Sequence, residues 1–222
     1  MTRPARPISI TDTKKRATFW FDTETTGVDP ETCAVIQLGG LVEIGGRVQE
    51  EINIQMRPFF GAEIHTQALT VNQTTRDKIE KYPPWEQGFE ELEKTLGKYV
   101  DMYDKNDKFV IAGYNVDFDI NFLRKYFDYY YGDKTNMKFI SYFGSWFFWP
   151  SIDVKNEVAK QVMCGHLRLN NYKLSNICAH YRVKINAHDA LSDIKATREL
   201  YKVLMNKNRS MATLYHGSNW KA

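Results

Sequence analysis

The chain has 222 residues, 43% of them hydrophobic and 26% charged, with a formal net charge of +3 at pH 7. That length suits one domain with a sizeable core, and the balance is that of a globular chain rather than a disordered or fibrous one. No apolar run approaches the roughly 18 residues that a membrane span needs, which argues against membrane partners and for a cytoplasmic location.

The first segment, residues 1–16, carries Arg3, Arg6, Lys14, Lys15 and Arg16 against the single acid Asp12, a charge of +4. The remainder therefore holds 3 − 4 = −1 and is poorly suited to gripping long duplexes by charge alone. Without an apolar stretch this leader does not read as a secretory signal; a solvated, disordered end is expected.

Residues 17–22 (Ala-Thr-Phe-Trp-Phe-Asp) read as a buried strand. Residues 34–44 and 48–56 read as two more, joined by Gly45-Gly46, which supplies the positive backbone angles of a tight hairpin. After Pro83-Pro84 the pattern turns helical, with Phe89, Leu92, Leu96, Tyr99 and Val100 recurring every three or four residues. Residues 109–112 form a short β-rich run that passes through Gly113 into a helix over 117–130. Helices are predicted over 153–163 and 172–181, capped by Asp153 and Asn171, and a last helix over 190–205 with Leu191, Ile194, Leu200 and Leu204 inward. A strand meander followed by alternating helices and strands is a mixed α/β layer architecture.

Twelve of the chain's 31 aromatic residues fall between Tyr126 and Trp149. Such density predicts a satellite core, with a β-like run at 139–143; a stacking platform for unpaired bases is the rival reading. Cys33, Cys164 and Cys178 are odd in number and widely spaced, which argues against a disulfide framework and a zinc knuckle and for reduced, semi-buried thiols.

The chemistry concentrates in three places. In Phe21-Asp22-Thr23-Glu24-Thr25-Thr26-Gly27 two acids stand two apart at the end of a strand, so both side chains point to one face. A third acid, Asp117 or Asp119, sits in Asn115-Val116-Asp117-Phe118-Asp119-Ile120-Asn121-Phe122-Leu123, at a strand-to-helix junction of the kind where α/β folds bind ligands. The last helix opens with His188-Asp189-Ala190-Leu191-Ser192-Asp193. Five helical steps of about 100° would splay His188 and Asp193 about 140° apart, so the histidine must hang from the preceding loop, with Asp189 as N-cap. Ala190 leaves room for close approach.

These three segments resemble, in order and spacing, the exonuclease motifs of the DEDDh, or DnaQ-like, family of 3′-to-5′ exonucleases, which includes the proofreading subunit of bacterial DNA polymerase III, ribonuclease T and oligoribonuclease. The resemblance implies a ribonuclease H-like fold, a mixed five-stranded sheet flanked by helices, and an exonuclease domain over residues 17–206 followed by a tail, 207–222. It takes Asp119 rather than Asp117 as the second-motif acid. Asp22, Glu24, Asp119 and Asp193 become ligands of two Mg²⁺ or Mn²⁺ ions, hard cations suited to oxygen donors, four positive charges against four negative. His188 becomes the general base. The loop 64–74 resembles the family's substrate loop and places Gln67 and Asn72 where the proofreading subunit has a glutamate and a histidine; with Thr23, Thr25 and Thr26 these are the expected substrate contacts. The expected partner is the 3′ end of a single-stranded nucleic acid, DNA favoured over RNA on the form of the first motif, with a DNA polymerase as a possible protein partner. The alternatives are a 3′-to-5′ exoribonuclease and a non-catalytic accessory module that binds nucleic acid.

Overall fold

The structure is a computed structural model and describes residues 16–135 and 142–216. Three strands open it as a meander: β1 (Ala17–Thr25), β2 (Val35–Ile44) and β3 (Arg47–Gln55). The hairpin between β2 and β3 turns at Gly45 and Gly46, whose φ angles of 59° and 79° are both in the left-handed region, as the sequence predicts. There follow α1 (Thr66–Val71), α2 (Arg76–Ile79), α3 (Trp85–Leu96), β4 (Phe109–Gly113), α4 (Asp117–Thr135), α5 (Phe143–Trp146), β5 (Phe147–Asp153), α6 (Val154–Met163), α7 (Leu174–Tyr181) and α8 (Ala190–His216). The sheet order is β3-β2-β1-β4-β5, antiparallel between β1, β2 and β3 and parallel from β1 to β4 to β5.

Strand β1 is the hinge of the architecture because both its faces are covered, and its apolar residues therefore run almost without a break. Phe19 and Phe21 face one core with Phe89, Phe109, Phe127 and Phe147, under α3 and α4. Trp20 faces a second core with Leu41, Val158, Ile194, Leu200 and Leu204, under α6 and α8. Phe19 and Phe21 are fully buried, and each such side chain contributes roughly 1.5–3 kcal/mol. The alternation assigns the rest of the strand: Asp22 and Glu24 continue the Trp20 face toward α8, while Thr23 looks to the side of α4.

Among the described residues, most of the aromatic segment belongs to the main core rather than to a satellite, with Trp149 exposed. Tyr126, Phe127, Tyr130, Phe143, Trp146 and Phe147 are all buried there, and Phe127 packs edge-on against Phe89 at 4.7 Å and Phe143 at 5.7 Å. Those buried rings offer no stacking platform.

Several boundaries differ from the sequence reading. The fifth strand of the sheet is Phe147–Asp153, downstream of the run expected at 139–143. Of that predicted run, 139–141 lie outside the described residues, and Phe143 opens a short helix. Pro150 and Ser151 disguise the real strand, which tolerates the proline because it lies at the sheet edge. Helix α3 stops at Leu96 with Gly97 as C-cap, although Val100 still reaches the core. Helix α7 starts at Leu174 because the Asn171 side chain accepts from the Lys173 amide and forms a turn instead of a cap. The predicted loop 64–74 contains α1, whose Leu69 packs with Ile36 and Ile79. Helix α8 runs to His216, since no proline or glycine interrupts it before Gly217. Cys33 and Cys178 are buried and Cys164 is exposed. No helix among the described residues is long and apolar enough to cross a membrane.

Candidate active site

Gly39 of β2 pairs in register with Asp22 of β1. A Cβ at Gly39 would lie 2.3 Å from the carbonyl carbon of Ala190 and the amide nitrogen of Leu191, so the start of α8 rests directly on the strand backbone. Ala190, fully buried, is the small residue that this contact needs. One turn further on, Asp193 reaches the same face as Asp22 and Glu24, and oxygens of all three lie within 4.8 Å of one another.

Asp119 enters from the opposite side of the strand. It is 3% exposed, and its Oδ1 accepts from the Thr23 amide at 2.9 Å and the Thr23 hydroxyl at 2.6 Å. Asp119 thus adjoins the three-acid cluster, with one oxygen already engaged, whereas Asp117 is exposed.

The loop before α8 holds His188 outside the helix with φ of 70°, as the splay argument requires. The main chain is pinned on every side. The Asn186 amide donates to Ser192 Oγ at 2.9 Å, the Ser192 amide to Asp189 Oδ1 at 2.9 Å, and the His188 amide to Asp193 Oδ2 at 3.2 Å. Asp189 is the N-cap, and Gln37 Nε2 ties it to the sheet, donating to Asp189 Oδ2 at 3.1 Å and to Asn53 Oδ1 at 2.8 Å. The exposed His188 lines a cavity of about 190 Å³ together with Glu24, Asn72 and Lys78.

Glu24 and Asn72 also line a second cavity, of about 410 Å³, walled by Thr23, Thr25 and Gln67 and by the apolar Val28, Val71 and Phe118. Asn72 Nδ2 donates to the Thr25 carbonyl at 2.9 Å and so fastens α1 to β1. Thr26 departs from expectation. It is fully buried; its hydroxyl donates to the Glu63 carbonyl and accepts from the Ala34 amide, and its own amide and carbonyl bond Ala34 and His65. With every polar group spent on the loop, Thr26 has none left for a substrate.

Burial and mutual repulsion dominate the electrostatics. Burial, then the charges of Asp119, Glu24 and Asp193, hold Asp22 well above the usual carboxylate range. Glu24 is pushed up to about 8 by burial, then by Asp193 and Asp119. Burial also raises Asp119, against the pull of the Thr23 hydrogen bonds, and lifts Asp193 to about 6 against the His188 amide. Such a cluster is strained when ionised and relieved by cations. Asp193 Oδ1 is buried with no hydrogen-bond partner, a vacant acceptor of the kind that a hard divalent ion satisfies.

Residues 19–201 match the profile of the RNase T family, described as exonuclease. The chain belongs to this family. No curated protein matches it significantly by sequence. Among solved structures it is similar to exonuclease I, at a TM-score of 0.68 and 18% identity over 92% of this chain and 44% of that one. The complex of Escherichia coli exonuclease I with a dT13 oligonucleotide gives 0.67 and 17%, covering 92% and 44%. Cell-death related nuclease 4 (CRN-4) gives 0.62 and 13%, covering 87% and 65%. This chain of the exonuclease family therefore shares the ribonuclease H-like fold, and it spans less than half of the length of exonuclease I. Divalent metals are general in the family, and the Asp22, Glu24 and Asp193 cluster is where this chain concentrates its acids. The sequence reading missed two residues that build the site, Gly39 and Gln37. The Gly39-Gly40 pair inside a strand is itself a signal of close backbone approach.

Proposed function

We propose that the chain is a 3′-to-5′ exonuclease that hydrolyses single-stranded DNA by a two-metal mechanism and releases nucleoside 5′-monophosphates. The observation that carries this reading is the convergence of Asp22, Glu24 and Asp193 within 4.8 Å, with a buried unpartnered oxygen on Asp193. Asp22, Glu24, Asp193 and Asp119 would hold the ions. Bound divalent ions supply Lewis-acid stabilisation of the phosphodiester and a nucleophilic water at neutral pH.

The remaining work falls to the chain's own groups. The 3′-terminal nucleotide enters the 410 Å³ cavity lined by Thr23, Thr25, Gln67 and Asn72, where Val28, Val71 and Phe118 give its base an apolar wall. His188 takes the proton of the attacking water, a task suited to an exposed imidazole on a pinned loop beside Glu24. Single-stranded DNA is favoured by the form of the first motif and by the oligonucleotides dT13 and dA16 found with exonuclease I.

The test gives the protein matched 5′-labelled single-stranded DNA and RNA with Mg²⁺, Mn²⁺ or chelator. Stepwise shortening of DNA from the 3′ end is expected, abolished by chelator and by Asp22→Asn. Faster shortening of RNA would replace the substrate with RNA, and shortening of neither polymer would leave a non-catalytic binding module.

A further inference from the structure

A second cluster of metal-type donors lies outside the carboxylate site. Cys33, Glu63 and His65 each bring one donor atom within 4.8 Å of the others. They come from two segments zippered together: the Glu63 amide donates to the Thr32 carbonyl at 2.8 Å, the His65 amide to the Thr26 carbonyl at 2.8 Å, and the Thr26 hydroxyl to the Glu63 carbonyl at 2.6 Å. Cys33 and Glu63 also form an isolated parallel β-bridge. The backbone thus holds the three residues side by side before any ligand arrives.

Between them is a gap that one residue leaves open. A Cβ at Gly27 would fall 2.4 Å from Cys33 Sγ and 3.1 Å from His65 Nδ1, so the thiol and the ring converge on the point where any other residue would carry its side chain. Cys33 is fully buried, and the Thr32 hydroxyl stands 3.7 Å from its sulfur, a weak bond for a thiol. Glu63 Oε2 stands 3.1 Å from His65 Nε2. One sulfur, one imidazole and one carboxylate is a donor set for a borderline cation rather than for Mg²⁺.

We propose that Cys33, His65 and Glu63 form a mononuclear zinc site, with water as the fourth ligand, separate from the all-oxygen cluster of Asp22, Glu24 and Asp193. Tetrahedral zinc bonds of about 2.0–2.3 Å need donors roughly 3.5 Å apart. Rotation of the exposed His65 and Glu63 side chains closes the present separations to that value. Gly27 and His65 both line the 410 Å³ cavity, so an ion here, its two charges balanced by the Cys33 thiolate and the Glu63 carboxylate, removes a negative charge from beside that wall.

Cobalt(II) serves as the optical probe, since a cobalt–thiolate bond gives a near-ultraviolet charge-transfer band that oxygen-only sites lack. The wild-type protein is expected to show this band at one equivalent of Co²⁺ and to lose it on adding Zn²⁺. Cys33→Ser abolishes it, while Cys164→Ser and Asp22→Asn retain it. Because Cys33 is buried, His65→Ala is the second variant: its exposed ring can be removed without touching the core, and Zn²⁺ affinity should fall more than about tenfold. No thiolate band in wild type, a band that follows Cys164, or unchanged affinity in His65→Ala would overturn the site. The readout is metal binding without substrate, so its outcome is independent of the nuclease reading.

Discussion

Replacing Gly39 by alanine puts the assembly of the site to a mechanical test. The new Cβ would stand 2.3 Å from backbone atoms of Ala190 and Leu191, where ordinary contact begins at 3.4 Å, so α8 must lift by about 3.4 − 2.3 = 1.1 Å. Backbone on both sides cannot swing aside as a side chain can, and overpacking of this kind costs about 1–3 kcal/mol. Asp193 rides on the displaced turn, while Asp22 stays on the sheet. A misplacement of about 1 Å at a reacting centre costs on the order of 10² in rate. Gly39→Ala should therefore lower release of mononucleotides from single-stranded DNA about a hundredfold while leaving a folded protein whose melting point drops by several degrees. The matched control is Gly144→Ala, where a Cβ meets nothing within 4 Å and both readings should be unchanged. Wild-type turnover in Gly39→Ala would refute the idea that the contact of α8 with β2 sets the acid cluster.

Three further outcomes are expected. In the metal-free protein the raised carboxyl groups hold protons that the unfolded chain releases, so stability falls as pH rises from about 4.5 toward the Glu24 value of about 8. Thermal melts in chelator should be higher at pH 5.5 than at pH 8, and Mn²⁺ should raise the melting point more at pH 8; a flat metal-free profile would contradict the burial argument. His188→Ala should slow cleavage by roughly 10²–10⁴ with Mn²⁺ affinity unchanged, since a general base contributes about that much; equal rates would remove the histidine from the chemistry. Gln37→Leu removes the side-chain hydrogen bond that ties Asp189 to the sheet, so the rate should fall about tenfold with little change in melting point, and full activity would show that the loop is held without it.

Local periodicity made much of this molecule readable in advance. Asp22 and Glu24 share a face because strands alternate, and His188 had to stand outside α8 because 100° per residue allows nothing else. Length and polarity hid the rest. Helix α1 has six residues with Leu69 alone buried, too little for a period to emerge, and β5 carries a proline in a position only an edge strand accepts. Gln37 acts through a hydrogen bond to a residue 152 positions away, and Cys33 meets His65 across a fold-dependent zipper. Such links depend on tertiary approach, which no window of sequence contains. Thr26 illustrates the reverse: its place in the motif suggested a ligand contact, and only the fold reveals that its polar groups bind the loop to itself.

The central claim is that the acids of β1 and α8 enclose divalent ions. Anomalous diffraction from crystals grown with Mn²⁺ measures this directly: the account predicts peaks bounded by Asp22, Glu24 and Asp193, with Asp119 beside them, and their loss in Asp193→Asn. Manganese found elsewhere, or an undisturbed signal in that variant, would contradict it.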